Sequence, residues 1–307
     1  MRCLITGSLG QDGYYLGKLL QEQGHEVFGM VYRKGDHSVP FGTLVRGDLT
    51  DSVSINRLVE DIRPDEIYNL GGFSHSGQSY GTPEKVLSIN GMGAVRIYEA
   101  ARRYVPNARI FQASSSEIFG DAQAPQSEDT RVSPINPYGA AKAYAHHMGE
   151  VYRTQGLWVS CGILFNHASM HSGLEHLPHK FLNYAFEISK GRATTFRVGS
   201  LHTKRDIGWA GDYVKAMVMM LRHNLPINLV IGTGNSVSMK ELGEEIFQSF
   251  GLKFSDHIEV DPALYRPSEI SHTEADITRA MKTIGWIPWI SDTAMLVDML
   301  VGERAAA

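Results

Sequence analysis

Short apolar runs alternate with amphipathic stretches through the first half of the chain. Cys3-Leu4-Ile5 precedes glycines at 7, 10 and 13, and residues 14–23 then carry apolar positions at helical spacing until Gly24 closes them. The same reading predicts strands at 2–6, 26–31, 44–46, 66–70, 109–113 and 158–164, with helices at 52–62, 83–103 and 137–156. Such alternation argues for an α/β fold, a doubly wound parallel sheet with helices on both faces. After residue 166 the pattern loosens into a loop rich in His and Gly (166–179), a helix to 190, a short strand at 195–198 and helices at 212–222, 238–250 and 292–300. The expected organisation is a large domain at 1–165 with returns near 196–232, and a smaller C-terminal substrate lobe, mainly 166–307, that does not fold alone. The helix from 212 and the strand at 228–231 are expected to rejoin the large sheet, and 305–307 to fray.

Composition narrows the partners. A chain of 307 residues, 43% hydrophobic and 20% charged, can bury a large core. Its formal charge of −4 argues against nucleic acid or an anionic membrane as the main partner, so any anion bound is expected to be small. Cys3 and Cys161 are the only cysteines and each sits in an apolar run, which suggests neither a disulfide framework nor a zinc site and fits a reducing compartment. The chain opens directly on a strand and has no run of 18 apolar residues. The expected location is the cytoplasm. His146, His147, His167, His171, His176 and His179 lack a compact ligand motif, so no metal site is expected.

The candidate chemistry lies at the predicted strand ends. Gly7, Gly10 and Gly13 end a strand and open a helix, where absent side chains let a backbone approach a pyrophosphate seated on the helix N-terminus. That is the Rossmann-type arrangement for a dinucleotide. Tyr32-Arg33-Lys34 after the second strand would welcome a 2′-phosphate, so the expected cofactor is NADP, with NAD as the alternative. Asp48 and Leu49 are placed to bracket the adenine, and Leu70 and Gly71 to let the cofactor pass close to the backbone. Tyr138 and Lys142 are four residues apart on a predicted helix and point the same way. An ammonium and the positive ring of an oxidised nicotinamide both favour phenolate, which makes Tyr138 a candidate base. Ser115, Ser116 and Glu117 follow a strand at the sheet's carboxyl edge, although Ser followed by Glu is also helix-capping chemistry.

With these motifs in view, the chain resembles the extended short-chain dehydrogenase/reductases, and among them most closely the GDP-mannose 4,6-dehydratases. The resemblance runs over nearly the whole chain. It rests on Ile5-Thr6-Gly7-x-x-Gly10-Gln11-Asp12-Gly13, Gly47-Asp48-Leu49-Thr50-Asp51, Gln112-Ala113-Ser114-Ser115-Ser116-Glu117, Tyr138-Gly139-Ala140-Ala141-Lys142, Leu164-Phe165-Asn166-His167, Lys204-Arg205-Asp206 and Arg266-Pro267-Ser268-Glu269. It places Gln11 and Asp12 with the cofactor-binding glycines. It implies a cycle without net redox change: Tyr138 takes the carbon-4 hydroxyl proton with Lys142 in support, Glu117 exchanges protons between carbon 5 and the departing carbon-6 hydroxyl, Ser115 orients the hexose and Ser116 assists. Asn166, Lys180, Arg205, Arg266 and Glu269 match positions for a nucleotide-diphosphate sugar, by resemblance GDP-mannose.

The chain departs from that pattern after Asn166-His167. It has Ala168-Ser169-Met170-His171-Ser172-Gly173 where the family has Glu-Ser-Pro-Arg-Arg-Gly, a loop that in the relatives reaches a neighbouring subunit and its cofactor. The loss leaves homodimer and homotetramer both open. An NADPH-consuming 4-reductase or an epimerase on the same fold is the alternative enzyme. A cofactor-sensing binding protein is a third reading, which retention of Tyr138 and Lys142 disfavours.

Overall fold

The computed structural model describes residues 1–32 and 39–306. Strands β1 (Arg2–Thr6), β2 (Glu26–Val31), β3 (Thr43–Arg46), β4 (Glu66–Asn69), β5 (Arg109–Ser115) and β6 (Trp158–Leu164) alternate with helices α1 (Gln11–Glu22), α2 (Ser52–Ile62), α3 (Ser76–Ser79), α4 (Pro83–Val86), α5 (Met92–Tyr104) and α6 (Pro137–Thr154). Beyond them come β7 (Asn166–Ala168), α7 (Leu177–Ser189), β8 (Phe196–Val198), β9 (Lys204–Trp209), α8 (Ala210–Arg222), β10 (Asn228–Ile231), β11 (Ser236–Ser238), α9 (Met239–Gln248), β12 (Ile258–Val260), β13 (His272–Thr273), α10 (Thr278–Ile284) and α11 (Thr293–Ala306). The large sheet has seven parallel strands in the order β10-β6-β5-β4-β1-β2-β3. This is a Rossmann-type doubly wound sheet.

Alternation along the strands divides the core. Cys3 and Ile5 of β1, with Tyr68 and Phe111, pack on Leu16 and Leu20 of α1 and on α8. Leu4, Ile67, Ile110 and Val159 face the other way, onto α2, α5 and α6. Neighbouring side chains on a strand point to opposite faces, so a sheet covered on both sides needs apolar residues at consecutive positions. Both cysteines are buried free thiols, and burial pushes each up to about 12.

The second core belongs to the C-terminal elements: Phe181, Leu182, Phe247, Phe254, Leu296 and Leu300 pack α7, α9 and α11 together with the short strands. Three expectations are corrected here. The strand near 196–198 pairs with β12 in a two-stranded sheet rather than with the large sheet, to which α8 and β10 return and on whose core Ala280 of α10 also packs. The helix expected at 83–103 is broken by a π-helical turn at Leu87–Gly91. There Asn90 turns inward and holds both the amide and the carbonyl of Phe73, at 2.7 and 2.9 Å, the kind of local task for which π-turns are retained. Finally, in place of the frayed end expected at 305–307, Ala305 and Ala306 are helical as the last residues of α11, and Ala307 lies outside the described residues.

Candidate active site

The carboxyl ends of the large sheet face the C-terminal elements across a cleft of about 980 Å³. Gly7, Gly10, Gln11, Asp12, Gly13 and Leu70 line its floor at the start of α1. The cradle admits no side chains at two points. Gly7 has φ +70°, and a Cβ there would lie 2.8 Å from Gly71 Cα; a Cβ on Gly13 would lie 2.5 Å from the Gly7 carbonyl oxygen. Gly10 caps α1 without any side-chain hydrogen bond, so no side-chain cap claims the helix's positive end. These residues fit the pyrophosphate of a dinucleotide.

On the opposite wall α6 begins at Asn136, whose Oδ1 accepts the Gly139 amide at 2.8 Å while its Nδ2 donates to Glu117 Oε2. Gly139 makes that contact possible, since a Cβ would lie 2.5 Å from the Glu117 carbonyl oxygen. Glu117 itself sits in a 3₁₀ turn, Ser116–Phe119, capped by Ser115, so the capping and active-site readings of Ser-Ser-Ser-Glu describe one structure. Tyr138 and Lys142 face the cleft from the next turns of α6, beside Ser115 and the buried Ser116.

The electrostatics differ from the sequence expectation. Burial first, then the Glu117 carboxylate, push the Tyr138 phenol above its ordinary range, and only hydrogen bonding with Ser115 works the other way. The Lys142 ammonium lies 5.8 Å from the centre of the Tyr138 ring and donates instead to the Ala113 carbonyl at 3.0 Å. Burial brings Lys142 down to about 8, with Asp12 opposing. The protein's own groups therefore hold Tyr138 as a phenol.

At the far end Arg205 pairs with Glu269 at 3.0 Å, and Arg266 approaches the same Glu269 oxygen at 3.7 Å. Glu269 thus holds two guanidinium groups side by side. Lys180 also lines the cleft, its ammonium donating to the Arg197 carbonyl, and Asn166, exposed at the start of β7, lines it too. Gly71 packs under Gly7 rather than on the lining, and its amide donates to Thr6 Oγ1 at 2.8 Å. Asp48 and Leu49 lie off the cleft lining: Asp48 accepts from the Thr50 amide and hydroxyl in a local turn, and Leu49 is buried against Gly71. Arg33, with Lys34 and Asp36, lies outside the described residues.

Several contributors were not singled out from sequence. Asn136 carries a readable signal, an Asn before Pro at a helix start. A buried chain of hydrogen bonds carries none: Thr6 Oγ1 donates to Asn69 Oδ1, Asn69 Nδ2 to Gln112 Oε1, and Gln112 Nε2 to the carbonyl of Ala113 that also receives Lys142. The loop that departs from the family pattern folds onto its own chain. Ser169 and Ser172 hydroxyls donate to Gln11 Oε1 at 3.1 and 2.6 Å, His171 stacks on Tyr14 at 3.6 Å, and the Met170 amide donates to Glu303 at 3.0 Å. Among the described residues no group of three or more His, Cys, Asp or Glu is arranged to hold a metal, and no helix is long and apolar enough to cross a membrane.

Comparison with known proteins agrees with this geometry. The family model described as GDP-mannose 4,6 dehydratase matches residues 4–299. The chain is 37% identical to GDP-mannose 4,6 dehydratase 1 of Arabidopsis thaliana, covering 98% of this chain and 88% of that one. It is 34% identical to the Homo sapiens GDP-mannose 4,6 dehydratase, covering 97% and 90%. Among solved structures, UDP-glucose 4-epimerase of Thermus thermophilus in complex with NAD superposes with a TM-score of 0.87 at 22% identity over all of both chains. The RMD of Pseudomonas aeruginosa complexed with NADPH gives 0.83 at 20% identity over 99% of each. These last two likenesses concern the fold.

Proposed function

The chain belongs to the GDP-mannose 4,6-dehydratase family, and from that premise we propose that it converts GDP-mannose to GDP-4-keto-6-deoxymannose with NADP as its resident cofactor. The observation that carries this reading is the meeting of Tyr138, Lys142, Ser115, Ser116 and Glu117 in one cleft with a paired-arginine end. When bound, the nicotinamide supplies an acceptor for hydride from carbon 4 of the hexose and a donor of that hydride to carbon 6. Tyr138 takes the carbon-4 hydroxyl proton. Burial first, and then Glu117, raise this phenol, so positive charge beside it, from Lys142 and from the oxidised nicotinamide when bound, would favour the phenolate.

Once carbon 4 is a ketone, the carbon-5 proton is acidified. Glu117, held by Asn136, removes it and delivers a proton to the carbon-6 hydroxyl, which leaves as water. The resulting double bond between carbons 5 and 6 is closed by hydride at carbon 6 and a proton at carbon 5, and the proton that Tyr138 took from the carbon-4 hydroxyl completes the balance. Arg205, Arg266 and Lys180 supply charge for the diphosphate, Asn166 a contact to phosphate or sugar, and Ser115 a hydroxyl to orient the hexose. The choice of NADP is supported by Tyr32-Arg33-Lys34 in the sequence. A homodimer is the assembly proposed, because the loop 168–173 is bound to its own α1; light scattering of the purified protein decides between dimer and tetramer.

The test is mass balance. Incubation with GDP-mannose and a trace of NADP is expected to give a sugar nucleotide lighter by one water, over many turnovers per cofactor. Stoichiometric consumption of NADPH would instead identify a 4-reductase. Tyr138→Phe is expected to retain cofactor and lose turnover; unchanged turnover would remove the assignment of the base.

A further inference from the structure

The first turn of α1 contains a group that opposes the ligand proposed for it. Asp12 lies in that turn, lines the cleft, and has the same sign as a pyrophosphate. A carboxylate there suits the helix dipole when nothing else is bound, yet it competes with a second anion for the same helix end. The structure supplies a counter-charge from 155 residues away: His167 Nε2 lies 2.9 and 3.1 Å from the two Asp12 oxygens.

The other imidazole nitrogen settles the charge of the pair. His167 Nδ1 lies 2.8 Å from the Phe165 carbonyl oxygen, which can only accept, so Nδ1 carries a proton. Nε2 faces a carboxylate, so a proton lies on that contact as well. The ring is then an imidazolium against a carboxylate, and the pair has no net charge. Burial favours the neutral ring, but Asp12 and the two hydrogen bonds outweigh it and raise His167 above the usual histidine value. The side chains are only 12% and 18% exposed, and Gln11 Nε2 donates to the His167 carbonyl at 3.1 Å, so α1 and residue 167 are tied twice. The titratable groups around the pair are Tyr213 from α8, its ring 4.4 Å from the imidazole; Tyr138 and Lys142 from α6, which feel Asp12; and His176 ahead of α7, which feels His167.

We propose that His167 is a positioning residue that neutralises Asp12, so that the N-terminus of α1 can take the anionic bridge of the dinucleotide; the inference rests on the cofactor reading above. Its loss leaves an uncompensated carboxylate beside the phosphates.

Calorimetric titration of NADP and NAD into wild type, His167→Gln and the double variant Asp12→Asn/His167→Gln, between about pH 6 and pH 9, tests this. His167→Gln is expected to bind roughly tenfold more weakly or worse, and the double variant to recover to within about threefold of wild type. Lys142, brought down to about 8, also loses charge in this range, so affinity is expected to fall toward the alkaline end more steeply in wild type than in the double variant, the difference being the proton of His167. Tight wild-type binding matched by His167→Gln, or a double variant no better than the single one, overturns the inference alone. Wild-type protein that binds neither nucleotide overturns the cofactor reading and this inference with it. Should His167→Gln fail to fold, nitrogen-15 NMR of the wild-type histidines decides: protons on both ring nitrogens of His167 near neutral pH support the proposal, and a neutral ring beside an ionised Asp12 overturns it.

Discussion

Lys142 is a buried cation that forms no ion pair among the described residues, and its ammonium donates to a peptide carbonyl. Burial takes its value from 10.5 down to about 8. Between those values the unfolded chain binds more protons than the folded one, so this residue makes stability rise with pH through that window and costs stability below it. Melting temperatures of wild type and Lys142→Met across the window are expected to converge if Met is the more stable at neutral pH; curves that keep a constant separation would count against the shift. His167 has the opposite sign. Its raised value gives stability that is complete below the ordinary histidine value of 6.5 and lost as pH climbs through the folded one. Gly13 is a steric case: a methyl there meets the Gly7 oxygen and Ser8 Cα, both backbone, at 2.5 Å. Gly13→Ala is expected to lose cofactor binding in a titration, with destabilisation of about 1–3 kcal/mol in chemical denaturation.

At the scale of elements, the start of α6 does two tasks through one side chain. Asn136 caps the helix and holds Glu117. Asn136→Ala is expected to cost about 1 kcal/mol of stability and to lower kcat more than it changes KM. Asn136→Asp separates the tasks, because its carboxylate still accepts the Gly139 amide but confronts Glu117 with like charge. That variant is expected to cost about 1 kcal/mol through the like charges although the cap is kept, with kcat down about tenfold or more. Full kcat in Asn136→Asp would exclude a positioning role for this residue. By contrast, the capping box of α9, Ser238 with Glu241, stands off the cleft lining, which α9 reaches through Met239. Ser238→Ala is expected to lose about 1 kcal/mol and leave turnover unchanged.

At the scale of the whole molecule, the cleft is closed by segments far apart in sequence, and α11 is one of its fasteners. Glu303 accepts from the Met170 amide, the Trp209 indole at 2.9 Å and the Tyr15 hydroxyl, which ties the last helix to the loop and to α1. Glu303→Ala is expected to destabilise by about 2–3 kcal/mol, because three donors lose one acceptor, and to weaken cofactor binding through the loop; a melting curve and a cofactor titration check both. The alternation of strands and helices, the glycine turn, and the Tyr138–Lys142 spacing were legible because each is set by local geometry: side-chain period, backbone freedom, and the four-residue helical repeat. Local signals could not place β8, whose partner β12 lies some sixty residues on, or the π-turn at Leu87–Gly91, whose Asn90 bonds the distant Phe73. The rise of the Tyr138 phenol was not legible either, because burial and then Glu117 act on it through space and neither shows in the four-residue spacing to Lys142. The sequence by itself determined the parallel sheet and the residues at its carboxyl edge. Only the tertiary structure decided which charges face one another there, because pairs such as Asp12 with His167 and Arg205 with Glu269 form between segments whose separation along the chain carries no trace of their contact.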